Sequence, residues 1–409
     1  MDAIRVLADD LTGACDVAAE LLPWPGGVAV EAAVGTRPPL PPGTLAVRNT
    51  QSRTLPAAAA GARVRSALAD VRPEWSGLVL KKVDTGLRGA FGAEIDAAMD
   101  GLGIDEAFVL PAIPEIGRTT QGGRQLIGGV PVHQTAFARD PQNPIRDASV
   151  AAAIRATGGR KVGGIGLGAV RGGLAAAVDA ARADGAQVLV CDAETDADLE
   201  RAVRGLLLRG RPLLLVGSTG LARALRRVLR TEHAGRPRPV ARPAPASGQG
   251  ILVVAGSAHP AMRSQIERAV ARRLVDALVV DPAGDAEAIG LAATRRLRAG
   301  AAVALVAPEA PDAGGSDGVV AALRRAALSA LSRVRPAGLV LVGGETAYHV
   351  LEGLGLPPLW VESRLCPMVV RSRLAAGPYG GLAMVTKGGS TGAPDVLGAI
   401  VRQLGRGGR

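Results

Sequence analysis

Apolar residues in this chain come in short unbroken runs, and each run closes on small polar residues before a stretch with helical spacing begins. "IRVLADD" leads into "LTGACDVAAELL", "LVLKKVD" into "TGLRGAFGAEIDAAMDGL" and "RPLLLVGSTG" into "LARALRRVLR". Further along, "GILVVAGSAHP" leads into "AMRSQIERAVARRL" and "GLVLVGGET" into "AYHVLEGL". Runs without polar alternation predict strands buried on both faces, and their alternation with helices predicts parallel sheets of the doubly wound type. In such sheets ligands bind outside the carboxyl ends of the strands. The polar residues that close the runs are therefore the first candidates for chemistry.

The pattern breaks over residues 230 to 250, "RTEHAGRPRPVARPAPASGQG", where Pro237, Pro239, Pro243 and Pro245 alternate with arginine and alanine. Such a stretch suits neither a helix nor a central strand and reads as a semi-extended linker. A chain of 409 residues also exceeds what one core usually supports. The expected organisation is a domain over 1–230, a linker over 231–249 and a domain over 250–409. The fold class is α/β: two doubly wound, mostly parallel-sheet domains with a cleft between them. Within the first domain, "PAIPEIGRTTQGGRQLIGGVPVHQTAFARDPQNP" is long, Gly- and Pro-rich and polar, and is expected to be irregular, in the manner of a binding loop or lid.

Composition narrows the function classes. Hydrophobic content of 48% and a mean hydropathy of +0.22 are ample for large cores. No run of 18 apolar residues occurs, and "MDAIRVLADD" lacks the basic start of a leader, so a cytosolic chain with no membrane span is expected. Three cysteines (Cys15, Cys191, Cys366) and four histidines are dispersed, which argues against disulfides and a built metal centre. The net charge of +11 raises nucleic-acid binding, but aromatic content of 2% leaves too few stacking platforms, and the arginines are spread along helical stretches. Small anionic substrates fit the same charge better. Lysine is rare: among 48 Lys and Arg residues, only Lys81, Lys82, Lys161 and Lys387 are lysines. A compact ammonium suits a single phosphate or carboxylate oxygen in a narrow site.

Several constellations stand at strand ends. Asp9 and Asp10 precede Thr12 and Gly13; either could cap the next helix, but capping needs one carboxylate, and the other calls for a counter-ion, a metal or a substrate hydroxyl. Lys82, Asp84 and Arg88 could converge on a ligand with a carboxylate and hydroxyls, or form a plain surface salt bridge. Lys81, one residue along the strand, should point the other way and have no role. Arg118, Thr119 and Thr120 offer a fork and two hydroxyls for an anion, or a simple turn. "VGSTG", "AGSAH", "VGGET" and "KGGSTG" are glycine turns after strands, suited to phosphate, though none is a P-loop. Gly164, Gly166 and Gly168 with Asp192 loosely imitate a dinucleotide fingerprint, which glycine packing explains more simply.

In order and rough spacing, "ADDLTGACDVA", "KKVDTGLRG", "PAIPEIGRTTQGG", "DPQNPIRDAS", "VGSTGLARAL", "AGSAHPAMRSQIE", "GGETA" and "TKGGSTG" resemble the four-carbon acid sugar kinases, a family that includes 3-oxo-tetronate and D-threonate kinases. The resemblance spans nearly the whole chain. It implies an N-terminal domain holding a sugar acid and a C-terminal domain binding ATP. Carried over by motif, Ser257, Gly343, Gly344, Glu345, Thr346 and Gly389 would be the nucleotide contacts. Asp10, Lys82, Asp84 and Arg88 would face the sugar acid, with Asp9 added from the strand-end reading and Arg118 from the long loop. The chain departs from the family pattern at Thr85–Gly86, where Ser-Thr is usual. It departs again in "VESRLCPMVVRSRLAAGPYGG", which keeps Glu362 and a shifted Pro367, and in "KGGSTG".

The reading that unites these features is a kinase moving the γ-phosphoryl group of ATP, with Mg2+, to a hydroxyl of a small sugar acid. Lys82 and Arg88 are expected to hold the acceptor carboxylate, and Asp84 or Asp10 to orient or deprotonate the hydroxyl. Lys387 would serve an anion at the nucleotide site, and closure about the linker would exclude water. A homo-oligomer is left open; no nucleic acid and no membrane are expected as partners. A non-catalytic sensor on the same scaffold is the alternative, with a nicotinamide oxidoreductase behind it.

Overall fold

The computed structural model describes residues 4–22, 24–35, 40–71, 75–140, 143–210, 212–232, 243–257, 259–309 and 315–406. Residues 233–242, the middle of the expected linker, lie outside the described residues. Two compact units form. One comprises Met1–Pro25, Val34–Thr36 and Ala46–Arg238, the other Gly26–Ala33, Arg37–Leu45 and Pro239–Arg409. The class is α/β, as the hydrophobic pattern predicts, and most strand pairs are parallel.

The chain opens with β1 (Ile4–Ala8), β2 (Val28–Glu31) and β3 (Leu45–Asn49), followed by β4 (Leu78–Lys82) and β5 (Ala107–Leu110). Next come β6 (Arg118–Gln121), β7 (Arg124–Ile127) and β8 (Val130–Pro131), then β9 (Val162–Ile165), β10 (Val188–Cys191) and β11 (Leu213–Gly217). In the N-terminal unit the order is β3-β1-β4-β11-β5-β10-β9, all parallel. Every residue of β4, β5 and β11 is buried, as expected for strands covered on both faces. From β1 the chain passes to β3 on one side and then to β4 on the other. That reversal creates a crevice beyond the carboxyl ends of β1 and β4, where Ala8 stands beside Lys82.

The long segment expected to be irregular instead carries the antiparallel sheet β6-β7-β8. Its first turn is held by Asp192, whose carboxylate accepts the amides of Gly122 and Gly123 at 2.8 Å each. Asp192 thus fastens a hairpin, and the loose dinucleotide fingerprint loses the acid it would need on a ribose. Gly164, in the same fingerprint, sits in β9 at the edge of the sheet.

The C-terminal unit contains β12 (Ile251–Ala255), β13 (Asp276–Val279), β14 (Ala302–Val306), β15 (Gly338–Val342), β16 (Leu359–Cys366), β17 (Val369–Leu374) and β18 (Ala383–Lys387). Its order is β13-β14-β12-β15-β18-β17-β16-β2, parallel as far as β18 and antiparallel beyond. Here too the direction of winding reverses, between β12 and β15. The last strand, β2, comes from the first 31 residues of the chain and pairs with β16 through Val30–Leu359 and Ala29–Trp360. The sequence reading left this segment with the 1–230 domain. Its residues are buried throughout, and they complete the antiparallel margin of the C-terminal unit.

Aromatic side chains are scarce, so both cores are built mainly from aliphatic residues. Val79, Ile95, Met99, Val109, Val190 and Val216 pack in the first unit, and Val253, Val340, Val385, Leu397 and Ile400 in the second. Arg223 is the main polar anchor among the helices of the first unit. Its guanidinium donates to Glu20 at 2.9 and 3.1 Å, and to Glu115 and Asp196 from two further elements. Removing one partner of such a buried pair typically costs about 3–5 kcal/mol. Arg223→Ala is therefore expected to lower the urea unfolding free energy within that range, while substitution of the exposed Arg201 leaves it within about 0.5 kcal/mol of the parent.

Candidate active site

The crevice beside β1 and β4 is filled by a buried ion cluster. Asp10 caps the helix Leu11–Glu20, accepting the Gly13 amide at 3.0 Å and the Thr12 hydroxyl at 2.6 Å. Asp9 and Asp10 share two cations. The Lys82 ammonium lies 3.1 Å from Asp9 Oδ1 and 3.0 Å from Asp10 Oδ1. Arg53 reaches Asp9 with two nitrogens at 2.8 and 2.9 Å and Asp10 at 2.5 Å. Capping and ion pairing therefore coexist at Asp10. Burial alone would raise both carboxyls, but the guanidinium of Arg53 and the ammonium of Lys82 outweigh it and hold both below the usual carboxylate range. Burial likewise opposes the charge on Lys82, and the two aspartates more than restore it.

Asp84 and Arg88 adjoin this cluster. Arg88 donates to Asp84 at 2.8 and 3.2 Å and to Asp140 at 2.9 Å, so its charge is matched by two carboxylates. Asp84 also accepts the amides of Gly86 and Arg88. Burial would raise Asp84, yet Arg88 and then Arg53 hold it far below the ordinary value. Arg118, at the start of β6, differs. It is buried, donates to the Thr85 hydroxyl, lies over the Phe137 ring, and has no carboxylate within 4.0 Å among the described residues. Burial lowers its pKa; the charge of Asp84 opposes this, nearby Arg88 adds to it, and Asp16 opposes it weakly.

Three features escaped the sequence reading. Arg53 lies in the loop after β3, whose backbone is pinned to β1 by Thr50 and Ser52 amides donating to Ala8 and Asp9 at 2.8 and 2.9 Å. The rule that chemistry gathers at strand ends would have found it, had β3 been recognised. Phe137 and Asp140 lie in "AFARDP", whose residues carried no chemical signal by themselves. Lys81, expected to be idle, is fully buried and pairs with Glu94 at 3.0 Å, which also accepts from Ser52. It does point away from Lys82, but into a polar core layer. Burial raises the Glu94 carboxyl, with Lys81 opposing.

In the C-terminal unit, β12, β15 and β18 end side by side, with Ala255 beside Val342 and Val342 beside Lys387. The structure brings the predicted Ser257, Gly343, Thr346 and Gly389 together there. A β-carbon on Gly389 would overlap the Ser257 hydroxyl, and one on Gly343 would lie 3.7 Å from Thr346 Oγ1 and 4.0 Å from Ser257. At Gly389 the close approach of Ser257 calls for glycine, and at Gly343 the backbone φ of +97° does. Gly344 opens the helix Gly344–Gly353, whose first turn has no side-chain cap, while the Glu345 side chain lies 3.7 Å from His349. Lys387, at the tip of β18, is fully buried. Its ammonium donates to the Gly388 carbonyl at 2.8 Å and has no carboxylate within 4.0 Å among the described residues. Burial lowers its pKa to about 8, against a raising influence from Cys366. Gln265 braces the same turn, donating to the carbonyls of Thr391 and Gly392 at 3.2 and 3.0 Å.

Among the described residues, no cluster of three His, Cys, Asp or Glu side chains could hold a metal, and no helix is long and apolar enough to cross a membrane.

Known proteins match this chain along both units. The profile of a sugar-binding N-terminal domain matches residues 4–225, and that of a nucleotide-binding C-terminal domain matches residues 252–397. The D-threonate kinase of Bordetella bronchiseptica is 34% identical, over 96% of this chain and 95% of that protein. The 3-oxo-tetronate kinase of Methylobacterium radiotolerans is 32% identical, over 98% of this chain and 99% of that protein. A crystal structure of a Salmonella typhimurium LT2 protein shares the fold with a TM-score of 0.77 at 23% identity, covering 98% of this chain and 99% of that one.

The two adjacent lysines should behave differently on substitution. Lys81→Ala leaves Glu94 buried without its counter-ion and is expected to lower the urea unfolding free energy by about 3–5 kcal/mol. Adding Glu94→Gln should recover most of that loss. Lys82→Ala, whose aspartates keep Arg53, should lower stability less in the same measurement.

Proposed function

Because the chain belongs to the four-carbon acid sugar kinase family, we propose that it is an ATP-dependent kinase phosphorylating a hydroxyl of a tetronate, 3-oxo-tetronate or threonate. The observation that carries this reading is a pair of buried cations, Arg118 and Lys387, one at the strand ends of each unit, with no carboxylate within 4.0 Å among the described residues. A buried charge without a direct ion pair in the free protein is costly, and a ligand of opposite sign lowers that cost. Arg118 suits the carboxylate of a sugar acid, and Lys387 suits a nucleotide phosphate.

In this mechanism the N-terminal unit receives the acid. The planar fork of Arg118, held by Thr85, takes the carboxylate. The expected roles of Lys82 and Arg88 change, since each is already matched by aspartates; they fix Asp10 and Asp84 instead. Carboxylates held so strongly in the ionised form are weak bases. Asp84 and Asp10 therefore orient substrate hydroxyls by accepting hydrogen bonds and do not deprotonate them in advance. Phosphoryl transfer tolerates this, because its loose transition state needs positioning and charge neutralisation more than a strong nucleophile. The hydroxyl oxygen bonds to the γ-phosphorus, the bond to the departing ADP oxygen breaks, and the hydroxyl proton is released late.

The C-terminal unit receives ATP. Amides of the Gly343–Thr346 turn and of Gly388 and Gly389 face phosphate oxygens, Ser257 supplies a hydroxyl, and Lys387 adds a charge from beneath the turn. ATP is taken as its Mg2+ complex, in which phosphate oxygens and water fill most of the coordination shell.

ADP release measured against D-threonate, D-erythronate and the 3-oxo-tetronates tests the proposal. Turnover with at least one acid is expected, and Asp84→Asn should lower kcat by about 100-fold or more. Binding of acids without ADP release across the whole panel would favour the sensor reading and defeat the kinase. Lys387 supplies a second test. As pH rises above about 8 the free protein loses the proton that the phosphates require, so ADP affinity should fall with increasing pH. In Lys387→Met the same titration should be weaker in affinity and flat over that interval.

A further inference from the structure

One half-buried aromatic ring stands between the ion cluster and the unmatched arginine. The chain has three phenylalanines; Phe91 and Phe108 are core residues, whereas Phe137 is partly exposed and only its inner side packs on the core. The guanidinium carbons of Arg88 and Arg118 lie 5.0 and 5.7 Å from the centre of the Phe137 ring. The ring is fixed from both sides. Thr135 caps the short turn Ala136–Arg139, and Asp140 at its end binds Arg88 at 2.9 Å.

Room for the ring depends on Gly86. A β-carbon there would collide with the ring edge of Phe137 and press on Asp84 Oδ2 at 2.8 Å. This is one of the positions at which the chain departs from the Ser-Thr usual in the family motif. The aromatic face thus occupies volume that a side chain after Thr85 would otherwise fill.

The two arginines are of like charge, and only Arg88 is matched by carboxylates. Arg118 keeps its charge beside it with a hydroxyl and a ring as its direct contacts, and with Asp84 and Asp16 favouring the charge from beyond ion-pair distance. A π-face attracts a guanidinium and does so without neutralising it, unlike a carboxylate. The charge of Arg118 therefore remains available to an incoming anion while its plane is set by the ring.

We propose that Phe137 is a positioning and specificity-determining residue of the acid subsite: its ring, admitted by Gly86, holds the Arg118 guanidinium in register with Thr85, so that acceptors bearing a carboxylate are preferred over neutral polyols. This inference rests on the sugar-acid reading of the N-terminal unit.

The test is calorimetric titration of the full-length protein with D-threonate, D-erythronate and the neutral polyol D-threitol, with ADP as a control for the other unit. Phe137→Leu should weaken binding of the preferred acid by about threefold to thirtyfold, the range of a desolvated cation–π contact. It should leave D-threitol and ADP binding unchanged. Phe137→Tyr, which keeps the ring, should restore acid binding. Gly86→Ala, which displaces the ring without removing it, should act in the same direction as Phe137→Leu and carries the test if the leucine variant does not fold. Combining the two should add little to either alone. Equal acid affinity in Phe137→Leu and the parent, or equal losses in the leucine and tyrosine variants, would overturn the assignment while leaving the kinase reading intact. A parent protein that binds neither acid would instead overturn the sugar-acid reading itself.

Discussion

Two adjacent carboxylates withdrawn from water at the end of one strand set the terms for the N-terminal unit. Asp9 and Asp10 repel each other, and burial penalises both charges; they persist because Arg53 and Lys82 arrive from two other strand ends. Satisfying that demand locks β1, β3 and β4 at their carboxyl tips, and Asp84 with Arg88 extends the same arrangement outward. The polar atoms of the crevice are therefore held before any substrate enters. Preorganised dipoles and charges of this kind need little rearrangement during a reaction.

The C-terminal unit solves a different problem with the same topology. Its winding also reverses beside a central strand, but the tips there carry glycine where the first unit carries aspartate. One crevice is crowded with matched ions. The other sets glycine turns over the buried Lys387 ammonium. The chemical division of labour follows from what occupies equivalent places on two similar sheets.

Much of this was legible from the pattern of apolar runs. The parallel sheets, the turns at Ser257, Gly343 and Gly389, and the gathering of Asp9, Asp10 and Lys82 all follow from runs that end in polar residues. What escaped depended on long-range pairing. Arg53 follows "LAVRN", a strand in which burial alternates and the apolar run is too short to stand out. Lys81 and Glu94 are 13 residues apart and meet only because a helix packs over β4. Asp192 resembled the acid of a nucleotide fold but is engaged by two amides some 70 residues earlier. The hairpin β6–β7 was hidden by glycines that mark its turns and dilute its strands. Periodicity reports local structure well; it is silent about which charge meets which.

The passage of β2 into the C-terminal unit has a bearing on how such chains can be inherited. A single crossover at the proline-rich stretch would deliver a rear half lacking its outermost strand, with the backbone groups of β16 that face Val30 and Ala29 left open to any stray edge. A cut at that stretch therefore does not separate the two folding units, since Gly26–Ala33 and Arg37–Leu45 belong with a margin more than 300 residues further along the chain.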